Sequence, residues 1–420
     1  MNWLIRNGLV LDQTGARNAD IRITDGRIAE IGEGLTPQGE EVFDAGGACV
    51  APGLVDMHCH LREPGFTRKE TIATGTAAAV KGGFTALGVM ANTSPVIDSV
   101  PLIEYVQKRA GEAGKARVYP YAAVTKGMQG KELTEMLTLK AAGAAAFSDD
   151  GKPVADPLVM RRALQYSKDK DILIISHCED PYLADGGVMN DGAVAALQGL
   201  RGLNSVAEEA MVARDMLLAE SLGARVHLAH ISSARSVQLI REAKARGVQV
   251  TCETTPHYIS LTERECENFN TYAKVNPPLR TEKDVSAVIE GLLDGTIDCI
   301  ATDHAPHHED DKRQVFELAA NGFSGLETAL AVCITYLVKT GKCTLAQLID
   351  RMSRRPAEIL GIPGGRIEAG APADVTVFDP DETWTVDPEQ FLSKGHNTPW
   401  AGKTLSGVVK ATFVDGRRVY

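Results

Sequence analysis

The sequence predicts an α/β chain: a (β/α)8 barrel of the TIM type with a small β-sandwich domain built from both termini. Three observations predict it. Eight short apolar runs, at 54–60, 84–90, 118–125, 144–149, 171–177, 225–231, 248–254 and 298–303, alternate with helical segments. Polar and ionisable residues gather where these runs end, and active sites of this fold occupy the C-terminal face of the strands. No glycine-rich GxGxxG or GxxxxGK[ST] follows an early run, which counts against an open nucleotide-binding sheet.

Residues 1–52 read as short strands and turns. Ala19 to Thr24 alternates, Asp25-Gly26 is a turn signal, and Arg27 to Ile31 alternates again. Ala373 to Phe378 and Val409 to Tyr420 have the same texture. Residues 1–52 with 366–420 are therefore expected to make the sandwich, and 53–365 the barrel. The barrel helices are expected at Thr71 to Lys81, Pro101 to Gly111, Pro157 to Lys168, Val206 to Leu222, Ala234 to Arg246 and Lys283 to Leu293.

The 420 residues are 44% hydrophobic and 24% charged, which is ordinary for a globular protein. A net charge of −11 with no basic block argues against a nucleic-acid surface. The start of the chain shows no leader pattern and no apolar run is long enough for a membrane span, so no membrane and a cytoplasmic location are expected. The eight cysteines never fall in a CxxC spacing, which reads as packed, reduced thiols.

The first barrel run leads into Val55-Asp56-Met57-His58-Cys59-His60-Leu61-Arg62. Side chains alternate along a strand, so His58, His60 and Arg62 share a face, each about 6–7 Å from the next. Two imidazoles there make half a zinc site, and Arg62 offers a fork to a carboxylate. Later strand ends add Asn92, Ser148-Asp149-Asp150, His177, His230, Asn276 and Asp303 to His307. His58, His60, His177, His230 and Asp303 exceed what one zinc takes from protein, so one or two ions are expected, bridged by a carboxylate. Asp150 is the candidate bridge, with Asp149 the competing choice. The chemistry expected is a metal-activated hydroxide, with Asp303 as ligand and catalytic acid/base.

His227, three residues before His230, is expected on the opposite strand face, packed toward the helices. His257 and His304 either orient ligands or play plain structural roles. The run Glu309 to Arg313 is expected to be a solvated loop, and His396 structural.

The segments VDMHCHLREPG, ANTSP at 91–95, TPHY at 255–258, ATDHAPH at 301–307 and NTPW at 397–400 resemble the dihydroorotase family (class I, bacterial type) of the amidohydrolase superfamily. The resemblance runs over nearly the whole chain. It implies reversible cyclisation of N-carbamoyl-L-aspartate to (S)-dihydroorotate, a step of pyrimidine biosynthesis. It makes His58 and His60 ligands of one Zn2+, His177 and His230 ligands of the other, Asp150 the bridge, and Asp303 ligand and acid/base. It places the substrate carboxylate on Arg62, Asn92 and His307, the ring amide on Asn276, and a backbone contact at Gly322. Asn321 stands where relatives often have Phe. Many superfamily members bridge with a carboxylated lysine; here Lys140 and Lys152 only flank the strand. The partners implied are a small anionic substrate, a homodimer and aspartate carbamoyltransferase. The rivals are a hydantoinase- or allantoinase-type cyclic amidase, which would not need Arg62, and a catalytically silent structural paralogue, which would lose ligands.

Overall fold

The computed structural model describes residues 2–12 and 15–420; Met1, Gln13 and Thr14 of the expected terminal layer lie outside them. Eight short strands stand in the predicted order. Leu54–Cys59, Phe84–Val89, Arg117–Ala122 and Ala146–Phe147 pair in parallel. So do Ile175–Ser176, Val226–Leu228, Val250–Thr254 and Cys299–Ile300. Parallel bridges Phe147↔Ile174 and Cys59↔His304 join the two arcs into a closed barrel. The apolar runs are longer than the strands because their ends bend away: His230 and Asp303 take left-handed backbone, with φ of 34° and 47°.

The helices fall where the helical segments are expected, and several start at capping residues. Thr71 closes a capping box at Ile72–Lys81, Asp156 accepts from Leu158 and Val159 at Pro157–Ser167, and Ser233 accepts from Ser236 at Ala234–Ala245. Inside the barrel, Val55, Met57, Ala86, Tyr121, Leu173, Ile175, Cys299 and Ala301 belong to one apolar cluster. It is a packed floor, not a channel.

The two termini together make one eight-stranded sheet. Trp3–Asp12 changes partner midway, pairing first with Glu41–Asp44 and then with Cys49–Pro52. The change falls at Asn7 (φ 56°) and Gly8, where a Cβ would lie 2.4 Å from Val50. The sandwich is thus a single sheet curled over its own core: the Phe413 ring meets Trp3 at 5.4 Å and Phe43 at 5.8 Å. The stretch 393–400, which precedes the last long strand Thr404–Val414, returns to the barrel mouth. There Ser324 N donates to Asn397 O (2.9 Å) and the Trp400 ring packs on Phe323. Among the described residues no helix is long and apolar enough to cross a membrane, and all eight cysteines are free thiols.

Candidate active site

The barrel seam aims the first two histidines. Asp56, fully buried, accepts from Thr302 Oγ1 (2.6 Å), Thr302 N (2.9 Å) and His58 N (3.1 Å), tying the first strand to the last. The ladder slips between Asp56 and Cys59, and His58 and His60 both enter the mouth beyond that slip. His58 Nδ1–H donates to Glu253 Oε1 at 2.6 Å, and His60 Nδ1–H donates to Asn92 Oδ1 at 2.9 Å. Each ring is thereby fixed in the tautomer that turns an Nε2 lone pair to the site.

Glu253 also holds His227. Its other oxygen takes a hydrogen bond from His227 Nε2 (3.3 Å), whose Nδ1 meets Thr251 Oγ1 at 2.8 Å. His227 therefore faces the barrel interior, beneath the site, and does not pack against the helices. The expectation assumed unbroken alternation up to His230; the left-handed backbone at His230 breaks it, so both rings turn inward.

Two groups of donor atoms converge on Asp150. On one side His58 Nε2 and His60 Nε2 lie 3.4 and 3.5 Å from Asp150 Oδ2, and 3.6 and 3.2 Å from Asp303 Oδ1. On the other, His177 Nδ1 and His230 Nε2 each lie 3.3 Å from Asp150 Oδ1 and 2.9 Å from one another. Zinc bonds of about 2.0–2.1 Å set neighbouring ligands of a tetrahedral ion roughly 3.3 Å apart, which matches these separations. His58 Nε2 is buried with no hydrogen-bond partner among the described residues, a lone pair held open. The residues fit divalent ions. Burial disfavours charge on Asp150, yet His58 and the contacts from His177 and His230 hold its carboxyl well below the usual range.

Adjacent Asp149 points elsewhere. Its Oδ1 accepts from Val124 N (2.8 Å) and Thr125 N (3.1 Å), and its Oδ2 from the Thr125 hydroxyl. Lys140 caps Lys170 O on the outside of the barrel.

One side of the mouth is basic. Arg62, at φ 59°, donates Nε to Pro306 O (3.2 Å), so a ligand meets its Nη edge. His307 Nε2–H donates to Asn321 O at 2.8 Å, Lys69 Nζ donates to His307 Nδ1 at 3.2 Å, and Arg62 Nη2 lies 3.2 Å from the same ring. Burial, with Arg62, Lys69 and Lys312 nearby, pushes the His307 pKa far down, so the ring is neutral. Asn92 spends its carbonyl on His60 and keeps its amide N–H groups. Asn276 donates Nδ2 to Glu179 Oε2 (2.8 Å) and keeps its carbonyl. Gly322 is a required glycine (φ 110°), since a Cβ would meet Ala305 at 2.6 Å. Its N–H goes to Lys274 O (2.9 Å) and its carbonyl to Asn397 and Lys312.

Residues 47–236 match the sequence family described as Dihydro-orotase-like, and 219–420 that described as Amidohydrolase family. A dihydroorotase of Acetivibrio thermocellus is 53% identical over 99% of this chain and 98% of its own. One from Pelotomaculum thermopropionicum is 52% identical over 100% and 98%. The chain belongs to the dihydroorotase family. Among solved structures, an L-hydantoinase from Arthrobacter aurescens superposes with a TM-score of 0.90 at 27% identity, covering 99% of this chain and 95% of its own. A dihydropyrimidinase from Brevibacillus agri gives 0.86 at 24% identity, over 100% and 95%, a likeness of fold.

Four parts of the site in this dihydroorotase-family chain, Glu253, Glu179, Lys69 and Lys312, had no mark in the sequence. Glu253 was visible only as a charge inside the apolar run 248–254. Glu179 and Lys69 sat in polar stretches without spacing to mark them. His257 is buried with both ring nitrogens unpartnered among the described residues, edge-on to Tyr258 and Phe323, and burial carries its pKa down to about 3. His304 is structural: Nδ1 accepts from Gly325 N (3.1 Å), and Nε2–H points at Glu70 (3.3 Å). The fourth part lies in the run Glu309 to Arg313. It is a short helix, Glu309–Lys312, rather than a solvated loop, and its lysine is wholly buried.

Because Glu253 holds the His58 tautomer, Glu253→Gln is expected to weaken metal binding about 10–100-fold, read by competition with a chromophoric chelator. An unchanged affinity would detach Glu253 from the site.

Proposed function

We propose that this chain interconverts N-carbamoyl-L-aspartate and (S)-dihydroorotate in pyrimidine biosynthesis, with Zn2+, as one or two ions, bound by His58, His60, Asp150, His177, His230 and Asp303. The observation that carries the reading is the pairing of those six convergent donors with the basic edge of Arg62, Lys69 and His307, in a chain about half identical to dihydroorotases along its whole length. When bound, divalent ions lower the pKa of water toward neutrality and polarise a carbonyl.

The chain's own residues do the rest. Arg62 and the Asn92 amide receive the ring carboxylate and set the amide carbon over the donor cluster. Asn276, steadied by Glu179, offers its carbonyl to a ring N–H. In hydrolysis, water adds to the amide carbon and Asp303 takes the proton released. The C–N bond then breaks, and Asp303 returns that proton to the departing nitrogen. Ring closure runs the same transfers backward.

A hydantoinase-type amidase is the second reading, favoured by the 0.90 superposition. It has no need of a carboxylate receptor. The test is hydrolysis of dihydroorotate by purified protein before and after chelation and zinc restoration, with hydantoin and allantoin alongside. Turnover of dihydroorotate alone, lost on chelation and regained with zinc, is the expected result. Turnover of hydantoin in its place would transfer the chain to the second reading. Silence on all three with metal bound would make it a structural paralogue. The family resemblance also supports a homodimer, an assembly with aspartate carbamoyltransferase and a cytoplasmic setting. Sedimentation of the chain with and without that enzyme tests the first two.

A further inference from the structure

Two lysines lie buried beside the site with no carboxylate partner among the described residues. Lys312 is 0% exposed and Lys274 4%. Lys312 Nζ donates to the carbonyls of Ala320 (2.7 Å), Gly322 (2.9 Å) and Lys274 (3.3 Å). Lys274 Nζ donates to the carbonyls of Phe316 (2.7 Å), Ala319 (2.8 Å) and Glu317 (3.0 Å). An ammonium has three donors, and here all three are spent on backbone in each case. Burying a cation is costly unless its donors are met, so such an arrangement persists only where the surrounding structure holds it.

What the two cages gather is one segment, 316–322. Apolar packing holds it only in part: Phe316 and Ala319 are buried, but Val315 is 63% and Leu318 74% exposed. Its inward side is a row of carbonyls aimed at the two ammonium groups. From that row the connections run straight to the basic edge of the site. Asn321 O takes the His307 Nε2–H, and Gly322 N donates back to Lys274 O, two residues before Asn276. Asp311, next to Lys312, reaches Lys69 at 3.4 Å.

We propose that Lys312 and Lys274 are positioning residues for the substrate carboxylate site: by collecting the carbonyls of 316–322 they fix the backbone acceptor that holds His307, and with it the placement of Arg62 and Lys69. Neither lysine touches substrate. Burial lowers the pKa of both, that of Lys312 to about 7, and the three carbonyl acceptors around each Nζ are what match the ammonium form.

The proposal rests on the cyclic-amide reading of the site, and its test separates the two. Hydrogen exchange on unliganded protein reads the cages without reference to any substrate. Segment 316–322 is expected to be protected in wild type and to exchange about tenfold or more faster in Lys312→Met and in Lys274→Met. Free exchange in wild type, or equal exchange in wild type and variants, overturns the proposal. If one variant fails to fold, the wild-type measurement and the other variant still decide. The kinetic arm uses dihydroorotate, whose turnover by wild type tests the reading itself. The variants are expected to raise KM about tenfold or more with kcat within about threefold and metal content unchanged. An unchanged KM beside faster exchange would leave the lysines structural only and overturn their positioning role.

Discussion

Replacing Asp303 with asparagine is expected to lower kcat for dihydroorotate by about 10²–10⁴-fold, with the fold intact and most of the bound metal retained. Asp303 follows the last barrel strand on left-handed backbone (φ 47°), and its Oδ1 lies 3.2 Å from His60 Nε2 and 3.6 Å from His58 Nε2. Asparagine has the same shape and keeps one oxygen for an ion, so the donor cluster loses little. What disappears is a site that both accepts and returns a proton. Burial would favour the protonated acid, but the contacts with His60 and His58 hold the Asp303 carboxyl below its usual range, ready as a base. Single-turnover rates with metal analysis on the same sample are the measurement. The loss should fall on kcat with KM little changed, because the carboxylate-binding edge is untouched. Near-normal turnover would remove Asp303 from proton transfer.

The parts legible in sequence were those that obey a local period. The βα alternation gave the barrel, and the ends of its runs gave the donor atoms that converge at its mouth, since strand ends of a barrel open on one face. The parts that stayed hidden depend on departures from the period or on distant backbone. Asp149 and Asp150 are neighbours at a strand end, and only the capture of Asp149 by Val124 and Thr125 separates them. His227 was assigned by an alternation that His230 breaks. Glu253 lies between His58 and His227, a partnership across three strands that no spacing encodes. Lys312 belongs to a run of charges that reads as solvent-facing; what buries it is a set of carbonyls at 274, 320 and 322, and carbonyls leave no trace in a sequence.

Arg62→Ala bears on which cyclic amide this site takes. Arg62 is half-buried on a left-handed backbone, with Nε anchored on Pro306 O, so its Nη edge is presented without the freedom of a surface arginine. Burial draws its pKa down to about 10, which still leaves it charged at neutral pH. Truncating one partner of a buried charged pair costs about 2–5 kcal/mol, or roughly 30-fold to several thousand-fold in binding. That loss is expected chiefly as a raised KM for dihydroorotate. Arg62→Lys should recover part of it, because an ammonium restores the charge but not the planar fork. Hydantoin carries no carboxylate, so whatever slow turnover it shows should be indifferent to Arg62. If both substrates suffer alike, Arg62 shapes the mouth rather than selecting its ligand. If KM for dihydroorotate is unchanged, the carboxylate is held elsewhere, and Lys69 is the cation left at that edge to hold it.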